Sequence, residues 1–223
     1  MRIPYETAAP LGKEFIDLGP EITAVILRTL VAGWQYACGF DDVNAQAGEV
    51  LMTERLRDGM RCKLKSNGHH WKNLLVILPG TESRSNSAVV IPDGRTDIPL
   101  FLIEVFLRTQ EHDPHAIIEC KRIIGIDRHL CREYVVEGID RFRTGKYGRN
   151  HAVGFMAGYL LTGNGEEAAA GINAYLTRTK RESEHLESDN IYKDALTWSS
   201  KHPRSGPSSP IHMHHVFLNF LIQ

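Results

Sequence analysis

The chain lacks the signatures of the commonest enzyme classes. It has no GxxxxGK[ST] loop, no GxGxxG after a strand, no GxSxG and no HExxH. Cysteine is scarce: Cys38, Cys62, Cys120 and Cys131 stand far apart, without a CxxC pair. That spacing excludes a secreted disulfide scaffold and reads as reduced thiols in a cytoplasmic protein. No apolar run approaches the length of a membrane span, and "MRIPYETAAPLGKEF" has no apolar core of a signal peptide. Charge of one sign is missing too. With 26 Lys+Arg against 27 Asp+Glu the net charge is −1. A globally basic nucleic-acid coat is excluded, whereas a local basic groove is not. Internal repeats and long linkers are also absent from the sequence, and the one low-complexity patch is "SSKHPRSGPSSP" at 199–210.

What is present is ordinary globular material: 223 residues, 42% hydrophobic and 24% charged, enough for one domain with a real core. After a lead-in over 1–19, "PEITAVILRTLVAGWQYACGF" has helical spacing, with Pro20 at its start, Glu21 in its first turn and Gly39 placed as a cap. "NAQAGEVLMTERLRDGMRCKL" predicts a second helix that stops near "SNGHH". The period then changes. "NLLVILPG" reads as a short strand, "SNSAVVIPDGRTDIPLFLIEVFL" as a turn and a longer strand, "EHDPH" as a turn, and "HAIIECKRI" as the next strand. "DRHLCREYVVEGIDRFRTGKYG" returns to helix, "HAVGFMAGYLLTG" is an uncharged strand suited to a central position, and "NGEEAAAGINAYLTRTKRESE" is a helix with acids first and bases last. "IHMHHVFLNFLIQ" reads as a final strand. The order predicts an α/β protein of three layers on a mixed central sheet.

Chemistry concentrates at the end of "HAIIECKRI". Alternation puts Ile117, Glu119 and Lys121 on one face and Ile118 and Cys120 on the other. A carboxylate and an ammonium on a core strand need partners, because an unpaired buried charge is costly. A turn near residue 109 would fold "DIPLFLIEVF" back antiparallel and set Asp97 opposite Lys121, beside Glu119. Two carboxylates with open water positions suit Mg²⁺, and a lysine beside them can orient or deprotonate a water or steady a phosphoryl transition state. The competing reading is an ion pair of Glu119 and Lys121 at a strand end.

"PDGRTDI" followed by "AIIECKR" resembles the PD-(D/E)XK nuclease superfamily, the restriction-endonuclease-like fold. The resemblance implies an α-β-β-β-α-β core over about 45–163, a helical lead-in over 1–44, and a C-terminal extension of helix and strand over 164–223, all in one nuclease domain of residues 1–223. It implies Asp97 and Glu119 as ligands of Mg²⁺, or of Mn²⁺ in its place, and Lys121 as the catalytic lysine. The helix-borne acid of that family falls on Glu49 or Glu54, with Glu49 preferred. Asp93 supplies the literal Pro-Asp but sits in a Pro/Gly turn, so Asp97 is the better match. Pro99, lacking a ladder donor, implies an edge or a bulge. DNA stands ahead of RNA as substrate, in restriction, repair or phage defence. A small nuclease without a base-reading module fits a homo-oligomer or a subunit of a larger defence or repair complex. The rival from another class is a non-catalytic, nucleic-acid-binding or scaffold member of the same fold.

From Lys121 to Arg149 eight bases stand against four acids. Arg122, Arg143 and Lys146 are expected to meet phosphates and Tyr147 to stack on a base. The alternative is a solvated helix face laced with pairs such as Glu137 with Arg141. His212, His214 and His215 have no Cys, Asp or Glu at ligand spacing and are expected to face solvent.

Overall fold

The computed structural model describes residues 15–66, 70–80, 82–83, 94–192, 195–204 and 210–220. Two helices come first, α1 (Pro20–Ala37) and α2 (Glu49–Ser66). Pro20 opens α1 as expected, but the cap is Cys38 in a right-handed conformation, and Gly39 is not called on for a left-handed one. Ile26, Leu27, Leu30 and Trp34 of α1 and Met52, Leu56 and Met60 of α2 are all buried. The two helices touch backbone to backbone. A methyl group on Gly59 would lie 2.2 Å from the Gly33 carbonyl oxygen, so only glycine fits that crossing.

The sheet begins with β1 (Leu75–Ile77), followed by a separate two-stranded ribbon of β2 (Glu82–Ser83) and β3 (Gly94–Arg95). Next come β4 (Ile98–Leu102), α3 (Ile103–Thr109) and β5 (Ala116–Ile123). A helical segment follows: α4 (Arg128–Tyr134), a π-helical turn (Val135–Ile139) and α5 (Asp140–Arg143). The chain then forms β6 (Val153–Leu160), α6 (Gly165–Arg178), β7 (Glu187–Asp189), β8 (Thr197–His202) and β9 (Ile211–Asn219). The seven-stranded sheet runs β1-β4-β5-β6-β9-β8-β7, parallel only at β5/β6 and β6/β9. This is the expected mixed α/β sheet.

Alternation along the strands divides the core in two. Ile118, Cys120, Phe155 and Tyr159 pack with α1 and α2 on one face. Ile117, Ile123, Met156, Met213 and Phe217 pack with α4, the π turn and α6 on the other. Three layers result. The predicted order over about 45–163 is present as α2, β1, β4, β5, α4 and β6, with the β2/β3 ribbon and α3 inserted.

Four expectations need correction. First, the long strand of "DIPLFLIEVFL" ends at Leu102 and continues as α3. An apolar run fits either period, and Glu104 and the largely exposed Leu107 take the open side of a helix. Because α3 replaces a tight turn, the register also moves. Ile98 pairs with Ile118, which places Asp97 across from Glu119 rather than Lys121. Second, Pro99 is in neither an edge strand nor a bulge, since β4 lies between β1 and β5. Its carbonyl accepts from Leu78 N just past the end of β1, so the missing donor falls where that ladder runs out. Third, the low-complexity patch at 199–210 is not all irregular, because β8 takes in Ser199–His202. Fourth, the lead-in is not wholly peripheral: Ile16 bridges to His151 and, with Leu18, is buried in the core. Asp93, the literal match of the motif, lies outside the described residues.

Candidate active site

β4 and β5 part company early. They pair only from Ile98 to Leu100 against Ala116 to Ile118, while β5 runs on to Ile123 along β6. Past Ile118 the β4 side of β5 therefore presents backbone groups with no strand among the described residues to meet them. Side chains fill that gap. Cys120 N donates to Asp97 Oδ2 at 2.7 Å, and Arg122 N donates to Glu49 Oε2 at 3.2 Å. Lys121 Nζ donates to the Cys120 carbonyl at 2.9 Å and to Glu49 Oε1 at 3.0 Å, and lies 3.1 Å from Glu119 Oε1. Four of the predicted residues, Asp97, Glu119, Lys121 and Glu49, thus converge where the sheet opens.

Glu49 and Glu54 now separate. Glu49 opens α2 and reaches Lys121, whereas Glu54 is ion-paired with Arg57. The reading of Glu119 and Lys121 as a surface ion pair fails on burial, since Glu119 is 0% and Lys121 8% exposed.

Arg141 joins the cluster without any signal in the sequence beyond its possible pair with Glu137. Its Nη1 donates to Glu119 Oε1 at 3.0 Å and to the Tyr147 hydroxyl at 2.6 Å, and that hydroxyl donates to the Arg95 carbonyl at 2.6 Å. The expected pair with Glu137 exists, but at 3.7 Å it is the weaker contact. The π turn makes this possible, because its extra residue rotates the following turn relative to the sheet. Within it Gly138 lies over the lysine stem, and a methyl group there would meet Met156 Cε at 2.5 Å and Lys121 Cγ at 3.6 Å.

One acceptor is left over. Glu119 Oε2 is buried and has no hydrogen-bond partner. Burial, then the neighbouring Asp97, pushes the Glu119 carboxyl up to about 8 despite Lys121 and Arg141. Burial also raises Asp97, opposed by Lys121 and the Cys120 amide. Burial alone would lower Lys121, but Glu119, Glu49 and Asp97 reverse this and hold it above the usual lysine range. With a proton on Glu119, Asp97 and Glu49 balance Lys121 and Arg141. With that proton gone, the cluster carries one excess negative charge around an unsatisfied oxygen.

A divalent cation fits this donor set. Glu119 Oε2 and the Asp97 carboxylate would hold it, and water and a substrate oxygen would complete its shell, the habit of Mg²⁺. No group of three or more His, Cys, Asp and Glu is placed to hold a metal among the described residues, so a site made only of protein ligands does not form here.

The predicted nucleic-acid contacts fare unevenly. The Arg122 side chain is half-buried beside the cluster and makes no ion pair among the described residues. Arg143 is turned to Asp140 and Glu184, at 4.0 and 3.7 Å. Lys146 is half-buried and also has a partner. Tyr147 cannot stack on a base: it is fully buried against Phe142, and its hydroxyl is taken by Arg141 and Arg95. An aromatic ring in "RFRTGKYG" looks available in the sequence, but the loop folds it inward to support Arg141.

Two of the three histidines also depart from expectation. His212 is exposed, His214 is held 3.2 Å from Asp189, and His215 is completely buried. β9 is an interior strand, so alternate residues must enter the core. His215 belongs to a buried chain: Glu184 Oε2 to His202 Nδ1 at 2.5 Å, His202 Nε2 to Ser200 Oγ at 2.7 Å, Ser200 Oγ to His215 Nε2 at 2.8 Å, and His215 Nδ1 to the Tyr134 hydroxyl at 3.1 Å.

No disulfide forms, and no described helix is long and apolar enough to cross a membrane. Comparison of the chain with protein-family models, curated proteins and solved structures finds no match.

Proposed function

We propose that the chain is a metal-dependent nuclease with a PD-(D/E)XK site, built on the restriction-endonuclease-like core, that hydrolyses phosphodiesters of DNA. One observation carries the reading. A buried Glu119 oxygen without a partner stands beside Asp97 and Lys121, at the point where two strands of the sheet separate. Such an orphan costs about 1–3 kcal/mol unless something completes it.

In hydrolysis a water oxygen bonds to phosphorus and one phosphorus–ester bond breaks. The departing oxygen leaves as an alcohol after taking a proton, and the water's own proton passes to solvent. A bound Mg²⁺ or Mn²⁺ supplies Lewis-acid polarisation and eases ionisation of water. Asp97 and Glu119 are the residues that would hold the ion. Lys121 remains an ammonium at neutral pH, so it orients the attacking water and offsets charge on the phosphoryl oxygens rather than removing a proton. Glu49 fixes the lysine from the opposite side. The chain shows no base-reading module in its sequence, consistent with a homo-oligomer or a subunit of a restriction, repair or phage-defence complex.

The test is cleavage of plasmid and of labelled DNA and RNA, with Mg²⁺ and with EDTA, by wild type, Glu119→Ala and Lys121→Ala. Metal-dependent cleavage by wild type alone is expected, with DNA cut before RNA. Equal cleavage by a folded variant overturns the assignment. A second reading has its own support. Lys121 and Arg141 both already reach Glu119, as they would in a non-catalytic, nucleic-acid-binding member of the fold. That reading requires binding without cleavage under every metal condition.

A further inference from the structure

Arg141 uses only half of its guanidinium. Nη1 is engaged by Glu119 and Tyr147. The opposite edge carries Nε and Nη2, the parallel pair of donors with which arginine grips a carboxylate or phosphate. Nε is buried with no acceptor, and Nη2 has Glu137 Oε2 only at 3.7 Å. The side chain is one quarter exposed and that of Glu137 one half exposed, so a glutamate able to swing outward covers the edge. Glu119 thus keeps an orphan acceptor, and Arg141, bonded to the same carboxylate, keeps an orphan donor at Nε beside a weakly held Nη2. The first calls for a cation and the second for an oxyanion.

We propose that Arg141 binds a non-bridging oxygen of the scissile phosphodiester through its Nε/Nη2 edge, and that Glu137 holds that edge until the phosphate displaces it. The proposal rests on the nuclease reading and adds the residue that seats the phosphate. Arg141 is well placed for the task. Tyr147, itself fixed on the Arg95 carbonyl, and Glu119 hold Nη1 from two sides, so little freedom remains to be lost on binding. The next residue back, Asp140, is locked by Arg181 at 2.8 and 3.2 Å, which anchors the short α5 segment that carries Arg141.

Anisotropy of a short fluorescent DNA duplex in EDTA separates binding from cleavage. Arg141→Gln should weaken binding about tenfold, the scale of one charge-assisted contact. Arg141→Lys keeps the charge on Glu119 but cannot offer two parallel donors, and should show most of the same loss with the wild-type melting temperature. Glu137→Gln should tighten binding about threefold. Glu133→Gln, on the same helix and away from the arginine edge, controls for charge alone and should change binding less. Wild-type affinity in Arg141→Lys, or a Glu137→Gln effect no larger than that of Glu133→Gln, overturns the proposal. Metal-dependent cleavage by wild type alongside either result leaves the nuclease reading standing and removes Arg141 alone. A wild-type protein that neither binds nor cleaves DNA removes both.

Discussion

The carboxylate of Asp97 takes the place of a missing strand: its Oδ2 accepts from Cys120 N at 2.7 Å, where β4 has already turned away from β5. That duty is structural; the proposed nuclease site gives the same side chain a chemical one, and substitution separates them. Asp97→Asn keeps an oxygen for the Cys120 amide and loses the charge. It should retain stability to within about 1 kcal/mol and lose cleavage by roughly a hundredfold or more. Asp97→Ala strands the amide as well and should cost about 1–3 kcal/mol in urea unfolding. Equal stability of the two variants would show that the amide bond contributes nothing.

Stability should fall as pH rises through the range in which folded Glu119 keeps its proton and the unfolded chain does not. Its carboxyl is pushed from 4.5 up to about 8 in the folded protein. Between those values the folded state binds a proton that the unfolded chain has released, so the linkage slope is negative, at most about 1.4 kcal/mol per pH unit. The contribution is complete below pH 4.5 and gone above about 8. Melting temperature followed from pH 7.0 to 8.5, above the range in which the buried His202 and His215 lose stability, should decline in wild type and flatten in Glu119→Gln, which cannot ionise. Millimolar Mg²⁺ should restore the wild type at the alkaline end and leave the glutamine variant unmoved. Identical pH profiles for the two proteins would place the titration elsewhere.

Much of this site was legible because strand alternation is strict. Glu119 and Lys121 had to share a face wherever "HAIIECKRI" paired, and the change of period from α2 into the strands placed the sheet correctly. The error in register came from α3. A helix and a strand compete for a run such as Ile103–Leu107, and only the tertiary position of Val105 in the core decides. Arg141 was hidden for a related reason. An even helical repeat assigns it to the Glu137 side, while the π turn that follows Tyr134 brings it to Glu119. No residue type in "VVEGI" announces such a turn. The histidines were misjudged because "IHMHH" reads as polar, whereas β9 lies between β6 and β8.

Glu49 acts on Lys121 from another element, so it should behave as a positioning residue. Its two oxygens meet Lys121 Nζ at 3.0 Å and Arg122 N at 3.2 Å. Glu49→Gln keeps one acceptor for either partner and should lower kcat about tenfold with little change in KM, because the lysine loses a charged support but remains in the site. Lys121→Ala should lower kcat far more, roughly a thousandfold, and destabilise the fold by several kcal/mol by leaving its carboxylates without their ammonium. A kcat in Glu49→Gln as low as in Lys121→Ala would make the glutamate a direct participant instead.

The buried chain from Glu184 to Tyr134 should set the acid limit of the fold. Arg181 and His202 hold Glu184 ionised, bringing its carboxyl down to about 2 in spite of burial. The carboxylate therefore fixes a proton on His202 Nδ1, and the remaining roles follow in order. His202 Nε2 accepts from Ser200, Ser200 accepts from His215 Nε2, and His215 Nδ1 accepts from Tyr134. Every polar atom in the chain is then satisfied with both imidazoles neutral. Burial lowers both histidines below their ordinary 6.5, with Arg181 adding to the effect at His202 and His202 and His214 at His215, while Glu184 and Asp140 oppose it at His202. Because the folded values are depressed, this stability is present above pH 6.5 and is lost as pH falls below it. Ser200→Ala removes the one group that serves both rings and should cost about 2–4 kcal/mol at pH 7.5, two unpaired imidazole nitrogens at 1–2 each. Its cleavage rate at 25 °C should match wild type, since Ser200 lies on β8, three strands away from the β5 strand that carries Glu119. Urea unfolding at pH 7.5 and at pH 5.0 measures both effects. A serine variant as stable as wild type at the higher pH, or a Glu119→Gln protein that loses nothing at the lower one, would rule out this order of protons along the chain.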